Sequence, residues 1–323
     1  DVIAQWYSDL GYGQTEITQK VRAKTVELVE DARDTEEIIR RIYRFVASDI
    51  NYEQVPFYQS AIVPREAKEI LDDRFGDCKD KVCLFISMLK AAGIDDCYFA
   101  LTTPYMTPDI QRLPSPRFNH VILCRLDGQG NRHWYDPTIK FGVLDQLPFS
   151  LSGKPALIIR PEETELAIID TVSVQEHPFV ASTEVIVETS GDAAISTMHS
   201  YSLVNETASL RLNIERTSDK DIAESFTQSL STSYPGVRLD SLSISGKQDP
   251  ESRLVYRYYY QVPEFCQISP EFASLKVPWN THIGNRMAVI VAKQERRSPI
   301  DLYDLNVCEQ EEITIRYPDN MMT

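Results

Sequence analysis

The spacing of apolar residues predicts helices early in the chain and strands after them. Two stretches repeat apolar side chains at the three- and four-residue intervals of one helix face: Ile38, Ile42, Phe45 and Val46 within 35–50, and Val82, Phe85, Ile86 and Leu89 ahead of Gly93. Weaker helical patterns cover 15–33 and 65–73, and runs rich in apolar and β-branched residues predict strands at 97–103, 118–126 and 132–137. Residues 1–165 are therefore expected to form an α+β domain, with helices packed on an antiparallel sheet.

The pattern changes after residue 165 to short alternating strands. Strands are predicted at 182–188, as a longer pair through 194–215, and at 253–260 and 312–317. One helix interrupts them, with apolar residues on a single face: Ile222, Phe226 and Leu230. Residues 166–323 are thus expected to form a β-rich accessory domain, sandwich-like or an open sheet, in which the run of tyrosines from Tyr256 to Tyr260 is interpreted as packing rather than as a sugar- or peptide-binding face.

Composition excludes some classes of function. The chain has 323 residues and 42% hydrophobic content, enough for two domains with buried cores. The net charge of -15, without a basic stripe that alternates with aromatic residues, argues against a nucleic-acid partner. No apolar run has the length of a membrane span. Because the chain starts at Asp1 without a methionine or a signal-peptide pattern, we expect it to be an excised part of a longer protein.

Six cysteines are present, without the paired CxxC spacing of the usual zinc sites. A disulfide framework is not predicted either, and Cys97 and Cys124 are expected to be buried thiols on neighbouring strands. No cofactor and no metal are therefore predicted. A zinc site built from one cysteine, one histidine and one aspartate is the less favoured alternative.

Cys78 has a chemical setting that the other cysteines lack. Asp77 is the expected N-cap of the helix that follows, which places Cys78 in the first helical turn. There, the unpaired backbone N–H groups and the positive end of the helix dipole favour the ionised thiol, and two nearby lysines add positive charge. The alternative on position alone is an inert buried cysteine, which is how we interpret Cys83.

A predicted β-hairpin supplies a histidine and a carboxylate. Residues 127–131 read as a turn between two strands. With the turn centred on residue 128 or 129, His120 lies opposite a residue between Asp136 and Thr138, so Asp136 is its direct or diagonal cross-strand neighbour. A carboxylate in that place holds the imidazole in one tautomer and keeps it basic. The alternatives are a packed or surface histidine and an aspartate that only shapes a turn.

Cys78, His120 and Asp136 together supply the groups of covalent thiol catalysis: a nucleophile, a base and a carboxylate that orients the base. The backbone N–H of Cys78 is one expected donor to the oxyanion. The second donor is expected from the upstream segment, where four candidates stay open: Tyr52, Gln54, Tyr58 and Gln59. The proline-rich loop at 104–116 is predicted either to line the substrate cleft or to be a simple connector.

The segments around these side chains resemble the bacterial transglutaminase-like superfamily, a branch of the papain-like thiol fold. The resemblance rests on four segments in the first half of the chain: Ile50-Asn51-Tyr52, Gly76-Asp77-Cys78-Lys79-Asp80-Lys81, Phe118-Asn119-His120 and Trp134-Tyr135-Asp136-Pro137-Thr138. It implies a transglutaminase-like core with Cys78 as nucleophile, His120 as general base and Asp136 as orienting acid. Such relatives commonly carry an export signal and a further β-rich domain ahead of the thiol domain, which implies an exported bacterial protein, periplasmic or at the cell surface.

Two functions of different classes follow. The first is an enzyme that attacks a peptide or protein amide through a thioester, as peptidase, amidase or acyl transferase. The second is a non-catalytic module that keeps the fold and binds peptide or cell-envelope material. The complete set of three side chains favours the enzyme, because a binding protein does not need all of them. Substrate, acyl acceptor and oligomeric state are not predicted.

Overall fold

A computed structural model describes residues 2–54, 62–104, 118–161, 163–171, 178–202, 207–269, 271–279 and 308–318. The chain divides into two compact units, Asp1–Val172 with Val204–Ala208 and Ser173–Leu203 with Ser209–Thr323. The first unit thus extends a few residues beyond the predicted boundary at 165. The separation into a catalytic and an accessory domain stays a prediction.

The helices of the first unit are α1 (Val2–Tyr12), α2 (Gln19–Val29), α3 (Thr35–Asp49), α4 (Ala67–Asp73) and α5 (Cys78–Ala91). Side-chain caps begin three of them, because Thr18, Asp34 and Asp77 each accept a hydrogen bond from a backbone N–H three residues on. The α1 helix was not predicted from the pattern. In the described part of the chain, none of the helices has the length and apolar character of a membrane span.

The main sheet of the first unit contains β3 (Cys97–Thr102), β4 (His120–Leu126), β5 (Arg132–Tyr135), β6 (Pro155–Ile159) and β7 (Glu165–Ile168). Its strands run antiparallel in the order β5-β4-β3-β6-β7. A separate parallel ribbon pairs β1 (Asn51–Tyr52) with β2 (Phe75–Gly76). The predicted α+β arrangement of helices on an antiparallel sheet is therefore confirmed, and β6 and β7 extend the sheet past the strands that were predicted.

Both faces of this sheet are buried. Alternate residues of β3 and β4 join the core shared with the helices, in which α5 lies against both strands: Cys97, Phe99, Leu101, Val121 and Leu123. The residues between them join a second core on the opposite face: Ala100, Ile122 and Cys124, with Trp134. Cys97 and Cys124 are thus buried thiols on neighbouring strands, as predicted, but on opposite faces of the sheet.

The second unit is built around a sheet of β8 (Phe179–Val187), β9 (Ala193–Tyr201), β10 (Arg238–Ser245), β11 (Leu254–Val262) and β14 (Glu309–Arg316). The strand order is β10-β11-β9-β8-β14, with only the β14–β8 pairing parallel among these. A short ribbon joins β12 (Cys266–Ile268) and β13 (Ala273–Leu275). Within the described residues, the unit matches the open sheet rather than the predicted sandwich.

Two helices accompany this sheet, α6 (Thr207–Arg216) and α7 (Asp219–Ser233). The α7 helix was predicted, and its Phe226 and Leu230 pack on the sheet. The strand pair predicted through 194–215 is wrong in its second half, where α6 stands. The residues of that segment include several good helix formers, which a short apolar pattern does not separate from a strand.

The tyrosines of β11 alternate between the two faces of the sheet. Tyr258 and Tyr260 are buried, and Phe226 contacts Tyr256 and Tyr258 through their rings. Tyr259 points to the other face and is 50% exposed. The packing interpretation is thus confirmed for the face toward α7.

Candidate active site

Cys78 is the first residue of α5 and is partly exposed at the edge of the helical core. The Asp77 carboxylate caps the helix by accepting from the Asp80 backbone N–H at 3.3 Å. A Cβ at Gly76 would lie 2.6 Å from the Asp80 Cβ, so only glycine allows this approach of the chain to the helix. The sulfur is thereby placed at the end of the helix where N–H groups lack helical partners and the dipole is positive.

The charged residues that follow Cys78 are buried rather than solvated. Lys79 pairs with the Asp77 carboxylate, so its charge is not free to act on the sulfur alone. Asp80 accepts from the backbone N–H of Arg65 at 2.9 Å and from its Nε at 3.2 Å. Buried charges need such partners, and these pairs fix the first turn of α5 against the preceding segment.

His120 begins β4, and Asp136 directly follows β5. The strand register pairs Leu123 with Tyr135. Continued by three residues, it puts Thr138 opposite His120 and Asp136 diagonal to it. His120 Nε2 lies 2.8 Å from Asp136 Oδ2. The hairpin thus brings these two side chains together in one of the registers that the sequence allowed.

The Asp136 carboxylate is buried and held from several sides. Its Oδ1 accepts from the Thr138 backbone N–H at 3.0 Å and from the Thr138 hydroxyl at 2.6 Å. Burial alone would raise the pKa of Asp136, but the charge and hydrogen bond of His120 and the two bonds from Thr138 bring it below its usual value. Tyr43, which sequence reasoning missed, donates to the backbone carbonyl of Asp136 at 3.1 Å.

The His120 ring has Asp136 as its hydrogen-bond partner and Cys78 as a further neighbour. Cys78 is among the neighbours that influence the pKa of His120, and because Nε2 faces Asp136, Nδ1 is the ring nitrogen that the carboxylate does not engage. Burial opposes protonation of the ring, but Asp136 and then Cys78 outweigh it and raise the pKa of His120 to about 10. The ring is therefore more basic than a free imidazole.

Tyr52 approaches this site from the β1–β2 ribbon, where it pairs with Gly76, two residues before the cysteine. Its side chain is 49% exposed. Partial burial and then the negative charges at Cys78, Asp77 and Asp136 raise the pKa of Tyr52 to about 12. Tyr52 therefore lies close enough to Cys78 and Asp136 to be affected by them electrostatically, and it is accessible to solvent.

The structure says less about the other candidates for the second oxyanion donor. Gln54 is exposed, at the end of a described stretch. Tyr58 and Gln59 lie outside the described residues, as does all but the first residue of the proline-rich loop at 104–116. The two interpretations of that loop stay open.

Tyr7 on α1 is a neighbour that sequence reasoning missed. Its side chain is buried, and its hydroxyl has no hydrogen-bond partner among the described residues. Burial, followed by the charges of Cys78 and Cys83, raises the pKa of Tyr7 well above its usual value. An unpaired buried hydroxyl lowers the free energy of unfolding by roughly 1–3 kcal/mol. The Tyr7 hydroxyl is thus a polar group near Cys78 that lacks a hydrogen-bond partner among the described residues. A helical pattern over α1 is the sequence feature that could have indicated Tyr7, and α1 was not predicted.

A second histidine of the same hairpin also contacts carboxylates. His133 Nδ1 lies 2.9 Å from Asp145 Oδ2, and its Nε2 lies 3.3 Å from Asp127 Oδ2. Burial opposes protonation, but Asp145 and Asp127 outweigh it and raise the pKa of His133. This cluster stands at the turn end of the hairpin, and sequence reasoning assigned it no role.

The zinc alternative needs side chains that converge on one point. Of the three side chains in that alternative, His120 and Asp136 are hydrogen-bonded to each other, with Nε2 at 2.8 Å from Oδ2. Within the described part of the chain, there is no cluster of three or more histidine, cysteine, aspartate or glutamate side chains that could hold a metal ion.

The first unit is thus an α+β domain with a cysteine at a helix N-terminus and a histidine–aspartate pair on a hairpin. Residues 22–99 match the family model of the transglutaminase-like superfamily. This segment runs from α2 into β3 and contains Cys78, but it ends before His120 and Asp136. The chain therefore has a transglutaminase-like core, followed by a sheet-rich remainder.

Two solved structures are similar to the chain. One is a candidate protease from Parabacteroides distasonis, with 11% identity and a TM-score of 0.41, covering 80% of this chain and 52% of that protein. The other is a candidate cysteine protease from Cytophaga hutchinsonii, with 16% identity and a TM-score of 0.33, covering 50% of this chain and 54% of that protein. The chain spans about half the length of each. No curated protein gives a significant match.

Proposed function

We propose that this chain is a thiol enzyme that attacks peptide or protein amides through Cys78, His120 and Asp136. The observation that carries the proposal is the His120 ring held by the Asp136 carboxylate, with Nε2 at 2.8 Å from Oδ2 and with Cys78 among the neighbours that raise the pKa of the ring. The transglutaminase-like match of residues 22–99, which contains Cys78, supports the same class.

In the proposed reaction, the Cys78 thiolate attacks the amide carbonyl carbon and forms a tetrahedral oxyanion. His120 then gives its Nδ1 proton to the leaving amine as the carbon–nitrogen bond breaks, which leaves a thioester on sulfur. Water or an amine attacks the thioester, with His120 taking the proton from that nucleophile. The released thiolate and the protonated ring restore the starting pair. Asp136 keeps the ring oriented throughout, as its own carboxylate is held by Thr138.

The oxyanion needs two donors near the sulfur. The backbone N–H of Cys78 is one, because it lies at the open end of α5. We assign the second donor to the Tyr52 hydroxyl. Two observations support this choice: Tyr52 pairs with Gly76, two residues before Cys78, and Cys78 contributes to the raised pKa of Tyr52. Gln54 is the remaining described candidate.

The proposed substrates are peptide or protein amides, with hydrolysis or transfer decided by whether water or an amine reaches the thioester. An exported bacterial protein fits the resemblance of the sequence to cell-envelope relatives, with the second unit as an accessory domain. These finer assignments follow from the family resemblance, whereas the thiol chemistry follows from the site.

The test uses p-nitrophenyl acetate as an activated acyl donor. We expect a burst of p-nitrophenolate near one equivalent per chain and an acetyl group on the peptide that contains Cys78, both lost in Cys78→Ser. The matched control is Cys308→Ser, since Cys308 is the other partly exposed cysteine among the six. Absence of a burst in the parent protein, or a burst unchanged in Cys78→Ser, would contradict the proposal and favour a binding module.

A further inference from the structure

Lys81 is a buried cation on the helix of the nucleophile. It lies three residues after Cys78 in α5, and its side chain is 1% exposed. Its Nζ donates to the backbone carbonyls of Ile50 at 2.8 Å and Ala47 at 3.1 Å. Burying an ammonium group is unfavourable unless it is well partnered, so a purely apolar residue would be the easier choice at this position.

The two carbonyls belong to the C-terminal end of α3, where helix carbonyls lack helical partners and the dipole is negative. A cation donating there closes the end of α3 and ties it to α5. The group also faces the charges of Asp136 and Lys140. Burial lowers the pKa of Lys81 to about 8, against the opposing effect of Asp136 and with a further lowering by Lys140.

The residues that follow the C-terminal end of α3 lead directly to the solvent-accessible side of the candidate site, where Tyr52 lies. Asn51 and Tyr52 form β1, and two backbone bonds attach this segment to the strand ahead of the nucleophile. The Asn51 N–H donates to Arg74 at 2.8 Å, and the Glu53 N–H donates to Gly76 at 3.1 Å. The Tyr52 segment is therefore held by Lys81 of α5 just before it and by β2 alongside it.

We propose that Lys81 is a positioning residue, which holds the end of α3 so that the Tyr52 hydroxyl stands where the oxyanion forms beside Cys78. The inference rests on the proposed function and deepens it, since it gives a role to a lysine that does not touch the substrate. A lysine that only stabilised the domain would have no selective effect on acyl chemistry.

The experiment compares two reactions of the same sulfur. Acylation by p-nitrophenyl acetate forms an oxyanion, whereas alkylation by iodoacetamide occurs at a saturated carbon and forms none. The ratio of the two rates thus isolates the oxyanion site from general thiol reactivity. The test variants are Lys81→Met and Lys81→Gln, and the matched control is Lys68→Met, which removes an exposed lysine from α4.

In the Lys81 variants we expect acylation to fall by at least about tenfold while alkylation changes by less than about threefold. Lys68→Met should leave both rates unchanged. Tyr52→Phe should lower the same ratio, and Lys81→Met should add little to it in the Tyr52→Phe background, because both changes remove one interaction.

Equal loss of both reactions, an unchanged ratio, or independent losses in the double variant would overturn the role of Lys81. Failure of both Lys81 variants to fold would also overturn it, because the lysine would then support the domain as a whole. These results are distinct from failure of the proposed function, which would appear as absence of acylation at Cys78 in the parent protein.

Discussion

The two ends of the β4–β5 hairpin each hold a histidine against a carboxylate, but the surroundings differ. At one end, the His120 side chain is 19% exposed, and its Asp136 partner is 3% exposed. At the turn end, His133 is 29% exposed, with partners Asp127 and Asp145 at 20% and 44%. Cys78 is among the neighbours that raise the pKa of His120, whereas carboxylates raise the pKa of His133.

This difference shows that a histidine–carboxylate pair is not by itself a catalytic signature. Both pairs raise the pKa of the histidine, so a basic imidazole occurs at both ends. The His133 ring has a carboxylate at each nitrogen and therefore no nitrogen directed at a reactive group. In the proposed mechanism, His120 gives one nitrogen to the carboxylate and keeps the other for the sulfur, and thiol chemistry needs that division of roles.

The largest effect is expected when the acylation rates of alanine variants of the two histidines are compared. His120→Ala should lower the acylation of Cys78 by p-nitrophenyl acetate on the order of a hundredfold or more, because it removes the group that exchanges the proton. His133→Ala should change the rate by less than about threefold, since surface-side substitutions leave the sulfur untouched. Stopped-flow measurement of p-nitrophenolate release compares them. A similar loss in both variants would mean that the hairpin fold, and not the position of His120, controls the reaction.

A smaller effect is expected for the carboxylates. Asp136→Ala should slow acylation on the order of tenfold or more, because the ring loses its orienting acceptor but the nucleophile and base remain. Asp145→Ala is the matched change at the other end and should leave the acylation rate near that of the parent. The same burst assay applies, and an Asp136→Ala rate within twofold of the parent would remove the carboxylate from the proposed mechanism.

The His120–Asp136 pair should also affect how the free energy of unfolding depends on pH. The pKa of His120 is raised from 6.5 to about 10, so its stabilising contribution is complete below about pH 6.5 and is lost as the pH rises toward 10. Lys81 contributes with the opposite sign, because its lowered pKa favours the folded state as the pH rises above about 8.

Subtracting the free energy of unfolding of His120→Ala from that of the parent isolates the histidine. We expect this difference to shrink by about 1 kcal/mol or more between pH 6.5 and pH 9.5 in urea titrations. A difference independent of pH would show that the ring is not held in its protonated form.

The smallest effect concerns the support of Asp136. A Cβ at Gly142 would collide with the Tyr43 hydroxyl, which donates to the Asp136 backbone. Gly142→Ala should therefore lower the free energy of unfolding by about 1–3 kcal/mol. In the Tyr43→Phe background, the penalty should be smaller, because the colliding hydroxyl is gone. Equal penalties in both backgrounds, measured by urea unfolding, would place the strain elsewhere, for example at the nearby Ile139.

The local sequence pattern predicts those parts of the candidate site that residues close together in the sequence form. The α5 helix follows from its apolar spacing and from the Asp77 cap. The approach of His120 to Asp136 follows from a short turn, which allows few registers between two strands. The contact between His120 and Asp136 could therefore be predicted from the sequence.

Groups that act from distant elements could not be predicted. Tyr43, Tyr7 and the carbonyls that bind Lys81 come from helices whose packing on α5 is decided by tertiary contacts. The same limit explains the errors in the second unit. There, β14 pairs with β8 across more than a hundred residues, and α6 occupies a segment whose short apolar pattern fits both helix and strand.

The most direct test of the central claim uses the two partly exposed cysteines of one molecule, Cys78 and Cys308. Iodoacetamide alkylation is followed at each cysteine by peptide mass spectrometry between pH 5.5 and 8.5. If His120 and Cys78 form an ion pair, Cys78 should react at least about tenfold faster than Cys308 at pH 6, and His120→Ala should remove the advantage. Parallel pH profiles for the two cysteines would contradict the account.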